Sequence, residues 1–470
     1  MQSSWDEELP DCRYEHKQPS LIKPSSHTPN HMLYLSNLDD QKFLRFSIKY
    51  LYLFQKSVPI NLLKHSLSRV LVDYYPLAGR LKNLQSHHEH HDDDYDDDGD
   101  DDGDDDDKLQ VDCNGEGAVF AEAFMDLSAQ EFLQISNKPC KSWRKLLFRV
   151  DAPTFVDTPP LVVQVTKLRC GGMILCTAIN HCLCDGIGTS QFLQAWAYLT
   201  TKPNGSVPIT PFHSRHVFKP RSPSSLLPSV HPAFTKTVYN PTIGDCLSLN
   251  LYLQSQPLVP ASLTYTASNI LCLKSQCVPS LKSTTFEVLA SHTWRSWAKS
   301  LDLQPLLEVK LLFSMNIRNN VIPEIPKGYY ANGFVLACAK TTVNELVDGN
   351  LHHVVKLVQE AKSSLTDNRI SEIIALLEDK NVKTDLTTSL VISQWSRLGL
   401  ESLDFGEGTP LHMGPLTSDI YCLFLPVVGD SNDIRVLLSL PKSVISKFEY
   451  YMNKFLDSSN VVANTNGEFV

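Results

Sequence analysis

Two segments rich in apolar and β-branched residues, LVVQVTKL at 161–168 and MILCTAIN at 173–180, are separated only by the turn sequence RCGG, and the pair reads as a buried hairpin. The stretch that follows, HCLCDGIGTSQFLQAWAYL, begins as a loop and becomes a helix, which puts residue 181 at a strand end. No run reaches the ~18 apolar residues of a membrane span, so the chain itself has to bury this hairpin. Its 470 residues exceed one hydrophobic core, and two domains of roughly 200 residues each are expected. Apolar residues at 42% suffice for interiors of that size.

The remaining pattern alternates between strands and helices in both halves. Residues 45–54 (RFSIKYLYLF) read as a strand, and 61–75 as an amphipathic helix that Pro76 ends. In the second half, helices are predicted over 285–300, 352–365 and 444–455, and strands over 309–315, 334–339, 419–427 and 434–440. Seven prolines between 203 and 232 mark a crossover, which suggests domains at 1–202 and 236–470 joined by a linker at 203–235, with a ligand channel between them. The polar first 30 residues read as an unstructured lead-in.

The net charge of −10 misleads. Thirteen aspartates crowd residues 92–107 behind Glu89, and without those fourteen acids the 42 basic residues exceed the remaining 38 acidic ones by four. A mildly basic body suits an anionic small ligand and gives no basis for nucleic-acid binding. The run at 86–107 has too few apolar residues to pack and sits between two strand-like pieces, so it reads as a disordered acidic insertion in a hairpin loop. His87, His88, His90 and His91 lie within it, but nothing there fixes a metal geometry, and no metal site is expected. Twelve scattered cysteines lack CxxC spacing and read as reduced, buried thiols. The N-terminus has neither a signal peptide's apolar core nor a transit peptide's acid-poor character, so the cytoplasm is the expected location.

The hexapeptide His181-Cys182-Leu183-Cys184-Asp185-Gly186 carries the chemistry. An imidazole with an ordinary pKa near 6.5 can accept the proton of a hydroxyl as that oxygen attacks a carbonyl. Asp185 could orient the ring or brace the turn by pairing with a distant cation, and Gly186 and Gly188 favour a tight bend. A histidine that merely ends a strand is the plainer alternative. Cys182 and Cys184 admit a rival, a thiolate nucleophile acting by a ping-pong route, although apolar surroundings would raise a thiol's pKa.

Five motifs together resemble the plant BAHD family of acyl-CoA-dependent acyltransferases: YYPLAGR at 74–80, VDCNGEGAVFAEA at 111–123, HCLCDG at 181–186, GYYANGF at 328–334 and DFGEG at 404–408. The likeness spans roughly residues 20 to 455 and is greatest to the Defective in Cuticular Ridges type, which acts in building the plant cuticle. It implies an α/β fold of two similar chloramphenicol-acetyltransferase-like domains. Each would be a mixed β-sheet with flanking helices, and the active-site channel would run at their interface. By this resemblance His181 is the general base, Asp185 turns from the substrate to pair with Arg318, and Ser393, two residues before Trp395, donates to the oxyanion. Gly186, Asp404, Phe405, Gly406 and Gly408 would be structural, the last four shaping a loop remote from the base and near the coenzyme channel. Glu407 stands where the family has Trp, which puts that loop's rigidity in question, and Ala331 replaces a common Gly.

The function so implied is transfer of a fatty-acyl or hydroxycinnamoyl group from acyl-CoA to the hydroxyl of a lipid-like acceptor, in cutin or cuticle formation. Acyl-CoA would be a co-substrate, with no permanently bound cofactor, and a monomer is expected. The alternative is a non-catalytic scaffold of the same family assisting fatty-acid elongation in wax synthesis.

Overall fold

The computed structural model describes residues 8–15, 18–84, 108–135, 138–152, 154–221, 231–236, 256–277, 279–417 and 421–465. The insertion at 86–107, with its four histidines, lies outside the described residues, as does part of the crossover.

The predicted hairpin forms the middle of the first sheet. Leu161–Leu168 and Met173–Asn180 pair antiparallel, and Ser47–Phe54 adds to the far edge of the second, with Ser47 opposite Asn180. Ala118–Met125 joins the other side in parallel to complete the core of a seven-stranded sheet. Alternation then sorts the side chains. Tyr50, Tyr52, Phe54, Val163, Val165 and Leu175 face a core shared with helices Ile60–Asp73 and Gly186–Thr201, whereas Leu51, Leu53, Ile174 and Cys176 pack with Phe132 and Trp143 on the other face.

A second, six-stranded sheet runs in the order Leu258–Tyr265, Asp430–Pro441, Cys422–Val427, Ser389–Gln394, Glu308–Asn316, Phe334–Thr342. Its core helix, Thr285–Ser300, starts at a capping box in which Thr284 and Glu287 bond each other's backbone amides. Each half therefore carries a mixed sheet with flanking helices, the α/β arrangement expected from the sequence.

The chain does not divide cleanly between the sheets. His412–Pro415 pairs with Ser47–Phe54 and so belongs to the first sheet, although it lies in the second half of the sequence. The last helix, Ile445–Thr465, runs further than the apolar pattern indicated, and helices Ala267–Ser275, Val343–Asp348 and Asp367–Leu376 were not read in the sequence. Each of these last three is 10 residues or shorter, too short for a strong period to stand out.

Candidate active site

His181 follows directly on strand Met173–Asn180, and its backbone N–H donates to the Phe46 carbonyl at 2.8 Å. The ring lies between Phe46 and Phe334, at centroid distances of 5.4 and 5.9 Å. It forms part of the wall of a cavity of about 300 Å³. Ser47 and Ile48 of the first sheet and Ser314, Leu336 and Ser393 of the second line the same cavity, which therefore lies where the two sheets meet. Burial of the ring among protein atoms lowers its pKa below the ordinary 6.5, so the imidazole is neutral at pH 7.

The hydrogen-bond network assigns the tautomer of that neutral ring. Asn332 Nδ2 donates to the His181 carbonyl at 2.7 Å and to Asp39 Oδ1 at 3.0 Å. Both partners only accept, so the amide oxygen Oδ1 is the atom 3.1 Å from His181 Nδ1. Nδ1 thus carries the proton and donates, and Nε2 keeps its lone pair. The ring has the form that a general base needs.

Asp185 turns away from the imidazole. Its carboxylate meets the Arg318 guanidinium through two contacts, Nη2 to Oδ1 at 3.0 Å and Nη1 to Oδ2 at 2.9 Å. It also accepts the Gly188 amide, capping helix Gly186–Thr201, and the Gly333 amide at 3.1 Å. Arg318 further donates to the carbonyls of Tyr329 and Ala331, tying the loop before strand Phe334–Thr342 to the loop after His181. Gly186 and Gly188 open the helix rather than make a bend. A Cβ on Gly188 would lie 1.6 Å from the Tyr330 carbonyl oxygen, so close approach is what requires glycine there.

Ser393 lies in strand Ser389–Gln394 and lines the cavity. Its Oγ accepts the Trp395 indole N–H at 3.2 Å, which leaves its own proton available to another acceptor. Cys182 and Cys184 point into the first core, where burial pushes both thiols well above their ordinary pKa, and neither lines the cavity. That placement disfavours a thiolate nucleophile.

The DFGEG loop lies away from the cavity that His181 lines. None of residues 404–408 lines the cavity. Phe405 instead packs edge-on against Trp196 and Phe54 in the first core, and Asp404 Oδ1 accepts the amides of Gly406 and Gly408. Both glycines have positive φ, 108° and 103°. Glu407 is exposed, 3.9 Å from Lys56. The loop is thus held by Asp404 and Phe405, and the lost aromatic at 407 leaves those anchors in place.

A model of the Transferase family matches residues 13–92 and 102–455. The chain belongs to this family of BAHD acyltransferases. It is 32% identical over 449 residues to the omega-hydroxypalmitate O-feruloyl transferase of Arabidopsis thaliana, with 92% of this chain and 91% of that protein covered. With the fatty alcohol:caffeoyl-CoA acyltransferase of the same plant it shares 33% identity over 447 residues, covering 93% and 97%. Among solved structures, vinorine synthase superposes with a TM-score of 0.68 at 18% identity, covering 94% of this chain and 98% of that one. F. sporotrichioides TRI101, complexed with coenzyme A and T-2, gives 0.70 at 14% identity and covers 89% and 97%. These two likenesses concern the fold.

For this BAHD acyltransferase, sequence reasoning missed Asn332, whose amide meets His181 Nδ1, and with it Asp39, which accepts from Asn332, and Arg215, which pairs with Asp39. Asn332 was visible only as part of GYYANGF. Nothing in the sequence marked Asp39 or Arg215, because their contacts join segments far apart in the chain.

Proposed function

We propose that this protein transfers an acyl group from a CoA thioester directly to a hydroxyl on a long aliphatic chain, with His181 as general base. The observation that carries the reading is the Nδ1-protonated, neutral imidazole facing a cavity at the seam of the two sheets. As the acceptor oxygen bonds to the thioester carbonyl carbon, its proton passes to His181 Nε2. Ser393 Oγ–H donates to the oxyanion that forms. Collapse of the tetrahedral adduct breaks the C–S bond, and the departing thiolate takes the proton from the imidazolium, giving ester and free CoA and restoring the base.

The substrate class is drawn from the cavity and from the relatives together. Phe46, Ile48, Phe334, Leu336, Val391 and Leu423 present an apolar wall suited to an aliphatic chain. Two relatives covering most of the chain are named for acceptors with a hydroxyl on a long chain and for aromatic acyl groups. Hydroxy fatty acids, fatty alcohols and acylglycerols are therefore the proposed acceptors, hydroxycinnamoyl-CoA and fatty acyl-CoA the donors, and cutin or cuticle formation the process. A monomer in the cytoplasm, using acyl-CoA as co-substrate, completes the proposal. Among the described residues no helix is long and apolar enough to cross a membrane. The division into domains at 1–202 and 236–470 joined by 203–235 is retained as a proposal, with His412–Pro415 reaching back to the first sheet. The scaffold alternative was motivated by members of the family that act without turnover and by the altered DFGEG loop; that loop stands off the cavity, and the built site at His181 favours the enzyme.

A matrix of donors against acceptors, read by release of free CoA, tests the substrate class. Release is expected with long-chain hydroxylated acceptors and not with acyl-CoA alone. Equal release without acceptor, or with short polar alcohols only, would contradict it.

A further inference from the structure

Behind His181 lies a second buried ion pair that the transfer step does not use. Asp39 and Arg215 meet at 3.0 Å with side chains that are 0% exposed. Every direction around the Asp39 carboxylate is taken by a donor. Oδ1 accepts from Arg215 Nη1, from the Asn332 backbone amide at 3.1 Å and from Asn332 Nδ2 at 3.0 Å. Oδ2 accepts from the Ser36 amide at 3.0 Å and the Ser36 hydroxyl at 2.6 Å. Arg215 also donates through Nη2 to the Leu183 carbonyl at 3.1 Å, inside the loop that carries His181.

This arrangement fixes which way the Asn332 amide points. Facing a carboxylate, the amide can present only its NH2, and its oxygen is then turned to His181 Nδ1. With that carboxylate removed, only the His181 carbonyl still holds the NH2, and a rotation of the amide that offers its NH2 to Nδ1 forfeits one hydrogen bond instead of two. The ring would then carry its proton on Nε2 and could not accept one from a hydroxyl. Asp185 cannot substitute, because its oxygens are engaged by Arg318, Gly188 and Gly333.

We propose that Asp39, held by Arg215, is a positioning residue that sets the tautomer of the catalytic imidazole through Asn332. The inference rests on the base assignment of His181 above. The two can fail separately. If His181→Ala releases CoA as fast as the parent, the base assignment falls whatever Asp39 does.

The test compares kcat, KM and their pH dependence for Asp39→Asn, Asn332→Ala, the two combined, and Asp39→Leu with Arg215→Met, which leaves neither charge alone. Asp39→Asn and the Leu/Met pair are expected to lower kcat by roughly 10² to 10⁴. KM should stay within about twofold, since no ground-state contact to substrate is removed. Raising the pH to about 9 should not restore activity, because a neutral ring with the wrong nitrogen protonated stays wrong. The combined variant should lose far less than the product of the two single losses, as the effect of Asp39 on the imidazole passes through the Asn332 side chain. Parental kcat in the Asp39 variants beside an inactive His181→Ala, losses that multiply in the combined variant, or recovery at high pH would each overturn the proposal.

Discussion

Ser393 and the two cysteines of the hexapeptide make opposite predictions. With its oxygen engaged by the Trp395 indole, Ser393 has a proton to give to a developing oxyanion. Ser393→Ala is expected to cost about 2.7 to 4 kcal/mol of transition-state stabilisation, read as a fall in kcat. Cys182→Ala and Cys184→Ala should leave single-turnover mass spectra unchanged, with no acyl adduct on any thiol of the parent when acceptor is omitted. An adduct on either would restore the ping-pong route. The contrast also marks what single residues reveal in a sequence. The proposed base and the thiols lie within one hexapeptide and could be weighed there, whereas Asn332 lies 151 positions from His181 and Asp39 another long interval away, at 293 from Asn332. Side-chain amides carry no motif of their own, so their part in the site emerges only when the chain folds.

Strands and helices were legible where they are long and regular. Helix Thr285–Ser300 and the hairpin Leu161–Leu168 with Met173–Asn180 keep their predicted bounds. Short helices and the return of His412–Pro415 to the first sheet were not, since pairing between distant strands leaves no periodicity to read. Two predictions concern how elements are joined. The Asp185–Arg318 pair links the start of helix Gly186–Thr201 to the second half, and Asp185→Ala, by stranding the guanidinium, should reduce unfolding free energy by about 3–5 kcal/mol in chemical denaturation. A loss under about 1 kcal/mol would show the pair to be dispensable. Strands Arg80–Asn83 and Leu109–Asp112 pair up to Leu84, whose amide donates to the Lys108 carbonyl at 2.6 Å. Deleting 87–107 leaves only two residues between those ends, a length a hairpin accepts. Turnover and melting temperature should be nearly unchanged, and a large fall in either would give the insertion a role in the folded enzyme.

Buried histidines set the acid limit of the molecule as a whole. Desolvation holds His213, His231 and His292 near pKa 4 and His412 near 3. In the unfolded chain they titrate near 6.5. From about pH 6.5 down to about 4 the unfolded state therefore binds protons that the folded state refuses, and stability should fall steadily as pH drops through this window. His412 packs against Trp143 with no hydrogen-bond partner for Nε2, so His412→Phe should flatten the decline of melting temperature with pH, and an unaltered slope would remove it from the account. His181, whose pKa burial also lowers, adds to the same decline, so it affects both catalysis and stability as pH falls. The site itself belongs to neither sheet alone, since His181 comes from one and Ser393 from the other. The resemblance implied this seam, but its lining was beyond the reach of periodicity. The pH–rate profile of kcat/KM for CoA release, measured on the parent and on His181→Ala, tests the mechanism. The parent should lose activity along an acid limb with an apparent pKa below 6.5, and His181→Ala should be slower by roughly 10² or more with that limb gone. A variant that keeps both the rate and the limb would show that some other group takes the proton.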